Sequence, residues 1–213
     1  MYDIAIIGTG VIGALAAREL TRYNLSVCLL EKASDVSHGA TKANSGIVHA
    51  GFDAKPGTKK ALFNVRGAAL MPELCAELGV KYRQNGSLVV AFTQEEMEIL
   101  HELMKRGQQN GVQNLFVLDK DQLFNLEPNL SPDIIGALHA PDAGIVSPYK
   151  LAIAAVGCAM DNGADLRLNF EVKDISIEED HFVVSSENDQ IQAKYIINAA
   201  RNICRLYFLY GRC

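Results

Sequence analysis

The chain opens MYDIAIIGTGVIGALAARELTRYNLSVCLLEK, and the run Gly8-Thr9-Gly10-Val11-Ile12-Gly13 within it constrains the fold more than any other feature. It sits between a short apolar run, Tyr2 to Ile7, and a stretch from Val11 to Tyr23 whose apolar positions Ile12, Leu15, Ala16 and Leu20 recur at helical spacing. A second apolar run, Ser26 to Glu31, follows. Strand, helix and strand within about 30 residues predict a parallel βαβ crossover. Gly8 permits a tight turn, Gly10 lets the main chain approach a pyrophosphate, and Gly13 lets helix and strand pack closely. The helix N-terminus offers unpaired N–H groups and a partial positive charge to the phosphates.

Glu31 lies 18 residues beyond Gly13, where the second strand ends. A carboxylate there accepts hydrogen bonds from ribose hydroxyls and repels a 2′-phosphate, which disfavours NADP. FAD and NAD share the fingerprint, so the loop alone leaves that choice open.

Composition excludes several other classes. The formal charge of −5, from 20 basic and 25 acidic residues, gives no electrostatic reason for a nucleic-acid or anionic-membrane partner. Five cysteines, Cys28, Cys75, Cys158, Cys204 and Cys213, form no CxxC pair, which reads as unpaired thiols in a reducing compartment and no metal site. No apolar stretch approaches the ~20 residues of a membrane span. A strand beginning next to Met1 leaves no room for a leader, so the expected location is cytoplasmic.

Lys32 to Pro56 is rich in Ser, Gly, Ala, Thr and Asn, and a loop of that length inside a domain is usually functional. Thr58 to Leu78 is helical in pattern and ends at Gly79. Lys81 to Phe92 reads as strands broken by the turn signal Asn85-Gly86, and Thr93 caps a helix running to about Gly111. Val117 to Ser147, with Pro128, Pro132 and Pro141, reads as loop with short elements. Pro148 opens a helix that ends at Asn162-Gly163, and four strands follow, Leu166–Phe170, Val172–Ile177, His181–Ser186 and Ile191–Asn198. The last is apolar enough to return to the parallel sheet.

The segment EKASDVSHGATKANSGIVHAGF resembles the flavin-contacting stretch of the FAD-dependent oxidoreductases related to D-amino-acid oxidase, in their glycerol-3-phosphate dehydrogenase and L-2-hydroxyglutarate oxidase branch. GTKKALFNVRGAALMPELCAELGV, NGSLVVAF, LEPNL and ALHAPDAGIVSPYKL are similar to further stretches of that branch. The resemblance implies an α/β Rossmann-like FAD-binding fold, a parallel sheet with a βαβ unit and a β-meander, carrying an inserted α+β portion of a substrate domain. Residues 1–80 and 148–200 would form the FAD-binding domain and residues 81–147 the substrate or cap portion.

It further implies FAD as cofactor, held by Gly8, Thr9, Gly10, Val11, Ile12, Gly13, Glu31 and Lys32, by Thr41, Ala43, Asn44 and Ser45, by a backbone exchange with adenine at Val172, and by Ala199 and Ala200. A hydride leaves a carbon bearing a hydroxyl or amine of a small substrate such as glycerol 3-phosphate or 2-hydroxyglutarate; the electron acceptor that follows is left open. His49, in GIVHAG, is the candidate donor or general base, with packing in the loop as its plainer role. His38, His101, His139 and His181 read as surface or structural residues, Lys59 and Arg66 as charges that either face an anionic substrate or, more commonly for such residues, are solvated on a helix, and Tyr149 and Lys150 carry no assigned chemistry.

After Ala200 the sequence departs from that branch. Arg201 stands where the branch has glycine, and NICRLYFLYGRC follows in place of a Tyr-Ala-Asp motif. One permissible codon spelling of residues 201–213, read one base out of register, gives GIYADYISYMVD. The expectation is a frameshifted or fragmentary chain, with substrate-binding and flavin-capping residues in a C-terminal portion or a partner subunit. The alternatives are an inactive FAD-binding module and an NAD-binding dehydrogenase domain.

Overall fold

The computed structural model describes residues 1–200; the tail at 201–213, with its frameshift reading, Cys204 and Cys213, lies outside the described residues. In chain order the elements are β1 (Tyr2–Ile7), α1 (Val11–Leu20), β2 (Val27–Leu30), β3 (Ile47–Val48), α2 (Lys59–Glu77), β4 (Tyr82–Arg83), β5 (Ser87–Ala91) and α3 (Gln94–Gln109). They continue with β6 (Phe116–Asp119), α4 (Lys120–Leu126), β7 (Gly136–Ala140), β8 (Gly144–Val146), α5 (Pro148–Asp161), β9 (Asp165–Arg167), β10 (Asp174–Glu178), β11 (His181–Ser185) and β12 (Gln190–Asn198).

The chain divides into two compact units. The first holds Met1–Ser45, Leu78–Val80 and residues 147–200; the second holds Gly46–Glu77 and Lys81–Val146. A division at residue 80 therefore differs from the division by packing. Ala50, Phe52 and Val65 pack with Leu100, Val112, Leu115 and Leu138, which draws the stretch after Gly46 into the second unit.

The first unit is built on a six-stranded sheet ordered β10-β11-β12-β1-β2-β9. β12, β1, β2 and β9 run parallel, and β10 and β11 add an antiparallel meander on the β12 side. The two central parallel strands are buried on both faces, β1 over its last four residues and β2 throughout, so β2 reads Val-Cys-Leu-Leu without alternation. One face packs on α1 and α5 through Ile4, Ile6, Leu29, Ala14, Ala155 and Val156. The other face packs Ala5, Cys28, Leu30, Phe170 and Val184. Burying Cys28 pushes its thiol up to about 11, so at neutral pH it is a small apolar side chain.

The second unit contains two three-stranded antiparallel sheets, β3-β8-β4 and β5-β7-β6. β4 and β5, on either side of Asn85-Gly86, pair with different sheets and not with each other. Gly86 turns at φ 73° and gives its N–H to the Ala143 carbonyl at 2.9 Å, so the turn serves two sheets. Thr93 caps α3 in a reciprocal box, with its hydroxyl taking the Glu96 N–H and the Glu96 carboxylate taking the Thr93 N–H.

Candidate functional site: a glycine loop, a carboxylate and an open helix end

β1 ends at Ile7, and the chain turns at Gly8 with φ +98°, a conformation that L side chains rarely adopt. The end of β12 also passes close, because a Cβ on Gly8 would lie 3.0 Å from the Ala199 carbonyl oxygen. Ala199 donates its N–H to the Ile7 carbonyl at 2.9 Å, which brings Ala199 and Ala200 alongside the loop. A Cβ on Gly13 would collide with the Gly8 carbonyl, so the third glycine sets how near α1 lies to the turn.

The hydrogen bonds of this loop can be accounted for donor by donor. Thr9 N–H goes to Glu31, Val11 N–H to the Thr41 hydroxyl at 3.0 Å, and Ala14 N–H to the Gly10 carbonyl at 2.9 Å. Among the described residues, no partner meets the N–H groups of Gly10, Ile12 and Gly13. Three unmet donors at the positive end of a helix form an anion seat. The Ile12 side chain is turned out to solvent, leaving its main chain as the part that serves the seat.

Glu31 follows β2 directly, and its main chain is tied on both sides, N–H to the Arg167 carbonyl at 2.9 Å and C=O to the Phe170 amide at 2.8 Å. One carboxylate oxygen accepts from the Thr9 amide at 3.0 Å and the Thr9 hydroxyl at 2.7 Å; the other accepts from Ala33 N–H at 3.0 Å. Thr9 is fully buried, so its hydroxyl has been taken from water for this contact. Lys32 is exposed and borders a cavity of about 350 Å³ with Arg167, Glu171, Lys173 and Asp189.

Val172 is 4% exposed, its side chain in the core beside Phe170 and Ile175. No partner among the described residues meets its main-chain N–H or C=O, although the neighbouring Lys173 N–H reaches the Ser185 carbonyl at 2.8 Å. A buried, unpaired amide edge is rare, and it leaves one main-chain donor and one acceptor unmet.

In the segment after Glu31, Thr41 is buried and serves α1 through its hydroxyl. Ala43, Asn44 and Ser45 are exposed, and the Asn44 amide turns back on the Ala40 and Thr41 carbonyls at 3.1 and 2.8 Å. His49 belongs to the second unit. It follows β3 with its side chain exposed, and its carbonyl accepts from Asn64 Nδ2 at 2.7 Å.

The structure thus brings Gly8, Thr9, Gly10, Val11, Gly13, Glu31, Thr41 and Ala199 into one cradle. Sequence reasoning missed that the Thr9 side chain is a partner of Glu31. A hydroxyl inside a glycine fingerprint is the one signal available, and it does not name the acceptor. The cradle suits FAD on its own terms, with an anion seat beside a fixed carboxylate, and the same unit holds the unpaired Val172 amide edge.

Comparison with known proteins agrees. The family model described as FAD dependent oxidoreductase matches residues 3–202. A glycerol 3-phosphate dehydrogenase of Caloramator mitchellensis is 46% identical over 200 residues, which is 94% of this chain and 42% of that protein. The human mitochondrial L-2-hydroxyglutarate dehydrogenase is 32% identical over 213 residues, 93% of this chain and 46% of that protein. Among solved structures, an L-alpha-glycerophosphate oxidase from Mycoplasma pneumoniae with FAD bound superposes with a TM-score of 0.94 at 29% identity, covering 99% of this chain and 56% of that one. The chain spans about half the length of the curated relatives it matches. With the family model matching residues 3–202, the chain belongs to the family of FAD-dependent oxidoreductases, whose cofactor is FAD.

Proposed function

We propose that this chain is the FAD-holding portion of an oxidoreductase that oxidises a CH–OH group of a small hydroxy acid or polyol phosphate, with glycerol 3-phosphate and 2-hydroxyglutarate as the first substrates to try. The observation that carries the reading is the anion seat at α1 beside the Glu31 carboxylate. The relatives named glycerol 3-phosphate dehydrogenase and L-2-hydroxyglutarate dehydrogenase supply the substrate class. In this reading residues 1–80 and 148–200 serve the cofactor and residues 81–147 the substrate side.

Each residue has a part. The amides of Gly10, Ile12 and Gly13 receive a pyrophosphate, and Gly8, Thr9, Val11, Ala199 and Ala200 shape the loop around it. Glu31 accepts from ribose hydroxyls and refuses a 2′-phosphate, with Lys32 beside it. The Val172 amide edge pairs with adenine, and Thr41, Ala43, Asn44 and Ser45 run along the rest. Bound FAD supplies the acceptor for a hydride leaving the carbon that bears the substrate hydroxyl. His49 takes the hydroxyl proton onto an imidazole nitrogen.

No helix among the described residues is long and apolar enough to cross a membrane. Cys28, Cys75 and Cys158 are free thiols, which supports a cytoplasmic home. A C-terminal portion or partner subunit completes the substrate pocket, in keeping with relatives of about twice this length. The second reading, a FAD-binding module without chemistry, is favoured by the same difference in length.

The purified protein decides between them. A yellow protein that bleaches anaerobically on adding glycerol 3-phosphate or 2-hydroxyglutarate supports the enzyme, and a yellow one that does not bleach supports the module. A colourless protein that binds NAD overturns both.

A further inference from the structure

We infer that Asn110, at the end of α3, is a positioning residue that fixes the main chain carrying His49. The role rests on the reading of His49 as proton acceptor. The geometry itself stands apart from that reading.

Beyond β3 the chain from His49 to Ala54 runs without a strand partner, and side chains from distant helices hold its carbonyls. Asn64 of α2 donates to the His49 carbonyl at 2.7 Å. Arg106 Nη1 donates to the Asp53 carbonyl at 3.1 Å. Asn110 Nδ2 donates to both the Gly51 carbonyl, at 2.9 Å, and the Ala54 carbonyl, at 2.7 Å. One amide group, 56 and 59 residues along the chain from its two acceptors, therefore closes the turn from Gly51 to Ala54. Within that turn Phe52 and Ala54 are buried, so displacing it would open the core.

Asn110 is itself rigidly placed. Gly111 turns at φ +90°, its N–H reaches the Gln108 carbonyl at 3.0 Å, and Val112 N–H reaches the Gly107 carbonyl at 3.0 Å. These two bonds close a Schellman motif around Asn110 as C-cap. Val112 is buried in the cluster that holds Ala50 and Phe52. A Cβ on Gly107 would collide with the Leu115 and Phe52 side chains, so α3 lies directly against the turn.

The chain contains its own control. α5 ends in the same Asn-Gly pair, with Gly163 N–H to the Met160 carbonyl and Ala164 N–H to the Ala159 carbonyl, both at 2.9 Å. There Asn162 Nδ2 folds back on its own helix, to the Cys158 carbonyl at 2.7 Å. Helix capping alone thus leaves the reach of Asn110 unexplained. Its Oδ1 is moreover buried without a partner among the described residues, an unfavourable arrangement that the two Nδ2 bonds offset.

The test uses the full chain and three readouts. In Asn110→Ala, amide exchange across residues 49–54 should quicken on the order of tenfold to a hundredfold, while exchange in β1 stays as in the parent. The His49 imidazole resonance should move, with those of His101 and His181 unchanged. Asn162→Ala should leave both measurements alone. Should Asn110→Ala fail to fold, Asn110→Ser, which retains one donor, should show the same pattern at smaller amplitude. Unchanged exchange at 49–54 and an unmoved His49 resonance in a folded variant would overturn the inference. The proton-accepting reading fails separately, if His49→Ala bleaches with substrate as fast as the parent while the Asn110 results stand.

Discussion

A single carboxylate oxygen of Glu31 takes both the amide and the hydroxyl of Thr9, at 3.0 and 2.7 Å. The residue that follows β2 therefore also fixes the turn that leaves β1. The carboxylate is thereby held in one orientation, with its second oxygen steadied by Ala33 N–H at 3.0 Å.

Breaking that relationship should cost both stability and cofactor. Glu31→Ala leaves the Thr9 amide and hydroxyl and the Ala33 amide without their acceptor, which should destabilise the fold by about 2–3 kcal/mol in urea titration. Thr9→Val removes one donor and should cost about 1 kcal/mol. Flavin fluorescence after gel filtration should show FAD lost from Glu31→Ala and weakened in Thr9→Val. Full retention of FAD by Glu31→Ala would remove the carboxylate from the cofactor site.

Gly13→Ala tests the cradle from its other side. Its Cβ meets the Gly8 carbonyl, so α1 must retreat from the turn and the amides of Ile12 and residue 13 move with it. The expected outcome is loss of bound flavin together with about 1–3 kcal/mol of stability, read by the visible absorbance of flavin and by thermal melting.

Acid should weaken the start of β1 through Asp3. Its carboxylate accepts from Lys194 Nζ at 2.8 Å and from the Ser26 amide and hydroxyl at 2.9 and 2.7 Å, and these bonds hold it well below the ordinary carboxylate range. A depressed folded-state value stabilises the fold above the unfolded value of 3.8, and the contribution fades as pH falls below it. The urea midpoint of Asp3→Asn should lie below the parent's at pH 7, and the gap should shrink as pH falls below 3.8. A gap constant with pH would show that the charge contributes nothing.

Thiol reactivity should follow burial. Cys28 and Cys75 are at most 1% exposed and burial raises both thiols, whereas Cys158 is half-buried on α5. Iodoacetamide at pH 8 should label Cys158 well before Cys28 and Cys75 in peptide mass spectra. Prior labelling of Cys28 would place an opening in the β1–β2 core.

The parts of the fold written in local pattern were legible in the sequence. The first βαβ unit, the Thr93 cap, Pro148 opening α5 and the return of β12 to the parallel sheet all follow from period, caps and apolar runs. Partnership at long range was not legible. Asn85-Gly86 marks a turn, but only the packing of β7 and β8 sends β4 and β5 to different sheets. The glycines could be read because a tight strand-to-helix turn restricts those positions, and Glu31 because it stands at a fixed distance from them, directly after β2. Asn110 could not, because its partners lie 56 and 59 residues away and no periodicity encodes them.

β12 pairs with β1 in register from Tyr2 against Ala193 to Ile7 against Asn198. During synthesis, at about 5–20 residues per second, β1 waits on the order of 10 to 40 s for that neighbour to leave the ribosome. Throughout that interval an apolar parallel strand has one edge uncovered, and the loop closure that covers it is among the longest the chain can make. The nascent chain's greatest exposure to chaperones and to aggregation therefore falls at its first strand, well after that strand has been made.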